Sequence, residues 1–404
     1  MLQSQYLVRA SAPTKIRLSL LATALVDALG GPAEFSPRFS FPFINSMIPN
    51  KNFGLPPGIW TDDTSMTLCL ARSLATYMPR NNISTGKEAI PGGFDEAHQL
   101  DMYVSWRRDG YLSAIGKCFD IGNTIRSALS IWSSNPLPRD AERTQIILDR
   151  IRSKLSGESS CGNGSLMRVL PVGLAFWRDE DAARKYALRS SDTTHPNPLC
   201  GEACQLWTTI IVKIMQKAVL GESDGQKFTK LDLLTDISAF PFTQEKLSVL
   251  LSIPSSAPTA PLRHTEGEES YYFTHHPLLR LIASQSRPQS SSTPINIPPT
   301  KILPSTGYVV HTLLAALYAF FATTTFEDGA ILVVNMGGDA DTVGAVYAGL
   351  AGCWYASEQT SASEQENLFW TPKVGEWVKA LARRDLVDQV AEELVNYSER
   401  LGKE

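Results

Sequence analysis

Residues 14–32 read TKIRLSLLATALVDALGGP. The apolar side chains from Ile16 to Leu29 recur at helical intervals, and Gly30-Gly31-Pro32 supplies the glycine and proline that end a helix. The same texture continues outward. Met66, Leu70 and Leu74 share one helical face after Asp62-Asp63, and residues 181–190, 199–218, 308–321 and 376–400 read alike. Polar/apolar alternation, the mark of a sheet with one wet face, is hard to find. Ile331 to Met336 is the exception: it suits a short buried strand as well as a helix, and periodicity does not decide between them. The expected fold is all-α.

The chain has 404 residues, 43% hydrophobic and 19% charged, which suits a large core and excludes wholesale disorder. Length alone suggests two or three domains. Lys and Arg number 37 against 41 Asp and Glu, a net charge of -4. General nucleic-acid binding is therefore not expected. The apolar stretches fall short of the roughly 20 residues of a bilayer crossing, so no membrane partner is expected. The six cysteines lack a CxxC spacing and read as reduced thiols of a cytoplasmic protein. His195, Cys200 and Cys204 do not make a metal site without a fourth ligand; the cysteines at i,i+4 suit a buried helix face. The first 26 residues contain no acid and resemble a weak targeting segment, or else an ordinary N-terminal helix. The helix is the preferred reading, with a domain from residue 14 to 404.

Residues 253–305 differ in texture, with nine of the 25 prolines and serine clusters at Ser255-Ser256 and Ser290 to Ser292. They read as a partly disordered insertion, with Tyr271-Tyr272-Phe273 and Leu278 to Ile282 as islands that dock, or as a linker.

Two acidic clusters carry the chemistry. Trp60-Thr61-Asp62-Asp63-Thr64 opens a helix. One oxygen-bearing residue suffices for an N-cap; three in succession suggest a cation site. Gly337-Gly338-Asp339-Ala340-Asp341-Thr342 adds two carboxylates and a hydroxyl after a glycine turn, although an Asx-turn reads similarly. The combined donors are hard oxygens, suited to Mg²⁺ or Mn²⁺, and four close carboxylates would repel one another without a cation. Gly162-Asn163-Gly164-Ser165-Leu166-Met167-Arg168 can hold phosphate on backbone N–H groups, with Arg168 adding charge or serving as a structural ion-pair partner. His195 follows a polar turn and suits a structural hydrogen bond or a catalytic role.

With DALGGPAEF at 27–35, WTDDTSM at 60–66, CFDIGNT at 118–124, GNGSLMR at 162–168, THP at 194–196, and TGYVVHTL and NMGGDADTVGAVYAGLAG within 306–352, the sequence resembles the ADP-ribosylglycohydrolase family. The resemblance implies a compact single all-α domain with a cleft for two Mg²⁺ or Mn²⁺ ions. It implies Thr61, Asp62, Asp63, Asp339, Asp341 and Thr342 as metal positions, and Glu34 as the glutamate of a mobile flap. It places the 162–168 loop around the ADP-ribose diphosphate and ribose, and His195 and Asp120 near the substrate. The implied reaction is hydrolysis of the glycosidic bond joining ADP-ribose to a protein or small acceptor, with Glu34, Asp63 and Asp341 as catalytic groups. A non-catalytic ADP-ribose binder and a metal-dependent phosphodiesterase are the alternatives. A monomer is the default. One departure stands out: the family's glycines before DALG are Ala22 and Val26 here, which bears on helix packing more than on chemistry.

Overall fold

Ser11 starts the first helix, its hydroxyl accepting from the Thr14 N–H at 3.3 Å, and α1 runs Ala12–Gly30 with Pro13 in its opening turn. A computed structural model of the chain describes residues 2–78, 91–134, 140–221, 227–285, 295–358 and 367–403. After α1 come α2 (Asp62–Thr76), α3 (Glu96–Asp109), α4 (Asn123–Ser133) and α5 (Ala141–Leu155). Asp95 and Asp140 cap α3 and α5 by accepting from the third residue on. Then follow α6 (Leu170–Ala175), α7 (Glu180–Asp192), α8 (Pro198–Leu220), α9 (Lys230–Ser238) and α10 (Glu245–Leu251). The last group is α11 (Glu268–His275), α12 (Pro277–Gln285), α13 (Val309–Ala322), α14 (Phe326–Val334), α15 (Ala340–Tyr355), α16 (Pro372–Ala380) and α17 (Arg384–Leu401). Among the described residues, backbone pairing of the β type is confined to isolated bridges. The fold is one all-α domain.

α1 and α15 form its axis. Every residue of α15 is buried, as is nearly all of α1, and helices that are apolar all round belong in the interior. They run antiparallel and close. A methyl group at Gly344 would lie 3.0 Å from Val26, and one at Gly352 would lie 2.8 Å from the Ala22 methyl. The small residues that permit this approach therefore sit on α15, opposite the two positions where α1 departs from the family pattern. Residues Ala12–Ala33 are, by length and composition, long and apolar enough to cross a bilayer, contrary to the sequence reading, and 83% of the most apolar window is buried inside the fold. The Lys15 ammonium, fully buried, donates to the carbonyls of Val8, Trp354 and Ala356 and so caps the C-terminus of α15.

Around this axis pack α2, α8, α13, α14 and α17. Three expectations change. Ile331 to Val334 end the helix α14, whose start is fixed by Thr325 accepting from Asp328 N–H, so the strand alternative falls. Residues 376–400 are not one helix: α16 stops at Ala380, and Arg383 adopts φ +46° before α17. The Ala382 N–H donates to Gly58 O at 2.9 Å, which holds the break. Nor is 253–305 a structureless linker. It carries α11 and α12, with Tyr272, Leu278, Leu279 and Ile282 buried; the serine cluster at 290–292 lies outside the described residues. Packing also reaches back before residue 14: Leu2 and Leu7 are buried, and Leu7 N–H donates to Phe228 O.

Candidate active site

The N-termini of α2 and α15 meet at one cleft of about 620 Å³, whose lining includes Glu34, Asp62, Asp120, Asp339 and Thr342. Thr61 occupies the N-cap position of α2, but its side chain does not cap the helix. Asp27, near the end of α1, does so from outside. Its Oδ1 accepts from Thr61 N–H at 2.9 Å and its Oδ2 from Thr64 N–H at 3.0 Å, with both threonine hydroxyls adding bonds. Two of the backbone donors at the start of α2 are thus satisfied by a residue 34 positions before Thr61. Asp62 and Asp63 are released from capping.

Asp63 Oδ2 receives the hydroxyls of Thr61 at 3.0 Å and Thr342 at 3.2 Å, joining α2 to α15. Asp341 Oδ1 accepts from Thr342 N–H at 2.9 Å. The remaining oxygens, Asp63 Oδ1 and Asp341 Oδ2, are buried without a partner, and so is Glu34 Oε2. Ligand atoms of Asp27, Asp63 and Asp341 lie within 4.8 Å of one another, as do those of Glu34, Asp120 and Asp341. Burial, reinforced by neighbouring carboxylates, pushes the carboxyls of Asp62, Asp63 and Asp341 well above the usual range. The same causes push Glu34 up to about 10, and burial chiefly lifts Asp120 to about 7. Buried, unpartnered carboxylate oxygens pointing at one another are costly unless a cation joins them. The donor set fits hard divalent ions, with Asp27 the exception because both its oxygens are committed to α2.

The flap loop is held in register with the glycine turn. Phe35 N–H donates to Gly338 O at 2.7 Å and Gly338 N–H to Ser36 O at 2.9 Å. Gly338, at φ +68°, allows the turn, and a methyl there would fall 2.2 Å from Ser305 O. Arg38 anchors the same loop, donating to Met336 O at 2.7 Å, Leu303 O at 2.9 Å, Ser305 Oγ at 3.0 Å and Pro298 O. The 253–305 region is therefore tied into the site at its C-terminal end.

Of the 162–168 loop, Gly162, Asn163, Gly164 and Met167 line the cleft. Asn163 Nδ2 donates to Asp339 Oδ2 at 2.6 Å and its N–H to Gly307 O at 2.9 Å. Ser165, Leu166 and Arg168 lie behind the loop. Ser165 Oγ accepts from Ser191, and Leu166 is in the core. Arg168 corrects the sequence reading: it is fully buried, lies outside the cleft lining, and has no ion-pair partner among the described residues. Its donors go to the Gly164 and Ser190 carbonyls and the hydroxyls of Thr193 and Thr194, and it stacks over Tyr103. It fastens the loop to the end of α7. His195 does line the cleft, its Nδ1 bonded to Thr194 Oγ1 at 2.8 Å. Burial, with Arg168 close by, pulls its pKa down to about 3, so the ring is neutral. A methyl at Gly164 would meet its Cε1 at 2.8 Å.

Sequence reasoning missed Asp27 as a cap and Arg38 as an anchor. A lone acid in the apolar run 18–29 was the available signal, since a buried carboxylate needs donors.

Such a helical fold with an acid-lined cleft defines a class, and sequence comparison names it. The ADP-ribosylglycohydrolase profile matches residues 9–403: the chain belongs to the ADP-ribosylglycohydrolase family, enzymes that hydrolyse glycosidic bonds. It is 29% identical over 366 residues to the ADP-ribosylarginine hydrolase Tri1 of Pseudomonas putida (strain GB-1), covering 91% of this chain and 77% of that one. It is 24% identical to the ADP-ribosyl-[dinitrogen reductase] glycohydrolase of Rhodospirillum rubrum, covering 91% and 92%. A solved structure, an ADP-ribosylglycohydrolase-related protein complex, superposes with TM-score 0.58 at 28% identity, covering 96% of this chain and 99% of that one.

Proposed function

We infer that the protein removes ADP-ribose from arginine side chains, hydrolysing the bond between the anomeric carbon of the distal ribose and the guanidinium nitrogen. The observation that carries this reading is the set of unpartnered oxygens on Asp63, Asp341 and Glu34 at a cleft flanked by a glycine loop. The arginine linkage is supported by two relatives named as ADP-ribosylarginine hydrolases.

Two Mg²⁺ or Mn²⁺ ions would be held by Thr61, Asp62, Asp63, Asp339, Asp341 and Thr342. When bound they supply charge for the carboxylates, purchase on ribose hydroxyls and a lower pKa for a bound water. The chain's own groups do the rest. The N–H groups of Gly162 and Gly164 hold the diphosphate, that of Asn163 being committed to Gly307, and binding there positions the distal ribose. Asp63 or Asp341 takes the proton of the attacking water as it bonds to the anomeric carbon. Glu34, beside Asp120, gives a proton to the departing nitrogen as its bond to carbon breaks. The six cysteines, all free and five of them buried, accord with action in the reducing cytoplasm.

The test is a release assay on arginine-, serine- and poly-ADP-ribosylated substrates with Mg²⁺ or Mn²⁺. ADP-ribose should appear from the arginine substrate and cease with EDTA. Release from serine alone would replace the linkage, and cleavage of phosphate esters with intact glycosidic bonds would replace the reaction.

A further inference from the structure

The cleft wall repeats one pattern on two loops. Glu34 precedes Phe35 after α1, and Asp120 follows Phe119 before α4. The two acids bring ligand atoms within 4.8 Å of the buried Asp341, which lies behind the cleft lining. Of the three rings only Phe35 lines the cleft, and Phe53 joins it to Phe119 from outside that lining: its centroid lies 6.4 Å from that of Phe35 and 5.4 Å from that of Phe119, each pair at 63°. Phe53 itself rides on a tight turn closed by two backbone bonds between Asn50 and Leu55.

Phe35 is 68% exposed, lines the cleft and has φ +60°, a backbone conformation that bulky residues rarely adopt. Asp120 shares that φ. The Glu34–Phe35 peptide is held at both its polar groups: the Phe35 N–H donates to Gly338 O, and the Glu34 carbonyl accepts from Asn52 Nδ2 at 2.7 Å. Core packing does not explain an exposed ring held this way. Strain of this kind persists where the surroundings enforce it, commonly at ligand sites.

The lining residues leave room for a cationic occupant. Glu34, Asp62, Asp120 and Asp339 line the cleft, and no Lys or Arg is among the lining residues. The geometry points to Phe35, Phe53 and Phe119 as the acceptor wall, an aromatic strip that takes the planar, cationic guanidinium group of the modified side chain. This rests on the arginine-linked reading above and adds which residues recognise the acceptor. Ring faces attract a guanidinium through their quadrupole. A serine linkage carries no charge there and gains nothing. The glycine loop packs on Gly307, His195 and Ile125, none of them a ring of the strip.

The experiment compares wild type with Phe35→Ala, Phe35→Trp and Phe53→Ala, the last leaving the Glu34 backbone untouched. Steady-state hydrolysis of an arginine-ADP-ribosylated peptide is measured beside calorimetric binding of ADP-ribose alone. Phe35→Ala should raise KM about tenfold, Phe53→Ala several-fold, and Phe35→Trp should restore it, with ADP-ribose affinity constant throughout. Unchanged KM, or an equal loss of ADP-ribose affinity, overturns the assignment of the strip. A wild type inactive on the arginine substrate overturns the underlying reading, a distinct result because it precedes any variant.

Discussion

The N–H groups of Thr61 and Thr64 both end on Asp27, so Asp27→Ala leaves two buried donors unpaired at the start of α2. A stability loss of about 2–4 kcal/mol is expected by urea denaturation; Asp27→Asn, which keeps one acceptor, should lose less. Asp341→Ala behaves differently. It should cut divalent-dependent turnover by at least ~10²–10³-fold, while thermal melts in EDTA show a fold as stable as wild type or more so, because one member of a repelling cluster is gone. Retained activity in that variant would refute the assignment of Asp341. The acids of TDDT and GGDADT were legible as one acidic cluster because several hard oxygens crowd a short span. Asp27 was not, since its partners lie on another element. Arg168 misled for a related reason: spacing in a loop says nothing of which side a side chain faces, and here it faces inward.

Among the elements, α1 and α15 were legible from their texture, but their mutual fit was not. Loss of the family's glycines at Ala22 and Val26 reads as loosened packing in one helix viewed alone. With Gly344 and Gly352 opposite, the close approach survives. Gly352→Val should therefore cost about 1–3 kcal/mol or more by overpacking against Ala22 and Ser19. Gly30→Ala has an added effect. Its methyl would fall 2.6 Å from Ala340 O and 2.7 Å from the Asp341 Cα, so kcat should fall further than the loss of folded protein explains. The break between α16 and α17 was illegible because no Gly or Pro lies within residues 376–400; it is imposed by a contact with Gly58, far away in the chain.

For the molecule as a whole, buried titratable groups set opposing responses to pH. His195 and His276 are held neutral by burial, at about 3 and about 4, below the unfolded value near 6.5. The unfolded chain binds more protons between those values, so stability should drop as pH falls from about 6.5 toward 4. The Glu34 carboxyl has the opposite sign. Raised to about 10 when no cation is bound, it contributes a destabilisation that grows as pH rises above the unfolded value near 4.5. Melts in EDTA from pH 7 to 9 should show a downward trend that is weaker in Glu34→Gln and weaker in wild type with Mg²⁺.

The hydrogen bond from Thr342 to Asp63 spans 279 residues, and Gly338 closes on the flap loop across a similar interval. Contacts that distant make assembly of the cleft a late event. At ordinary synthesis rates of about 5–20 residues per second, tens of seconds separate the emergence of the two halves of this site from the ribosome. The growing chain carries a cluster of acids that has nothing to close against until the helix of residues 340–355 appears. A truncated product should thus lack hydrolytic activity altogether rather than retain a weakened form, and cation uptake would report that synthesis has passed that helix.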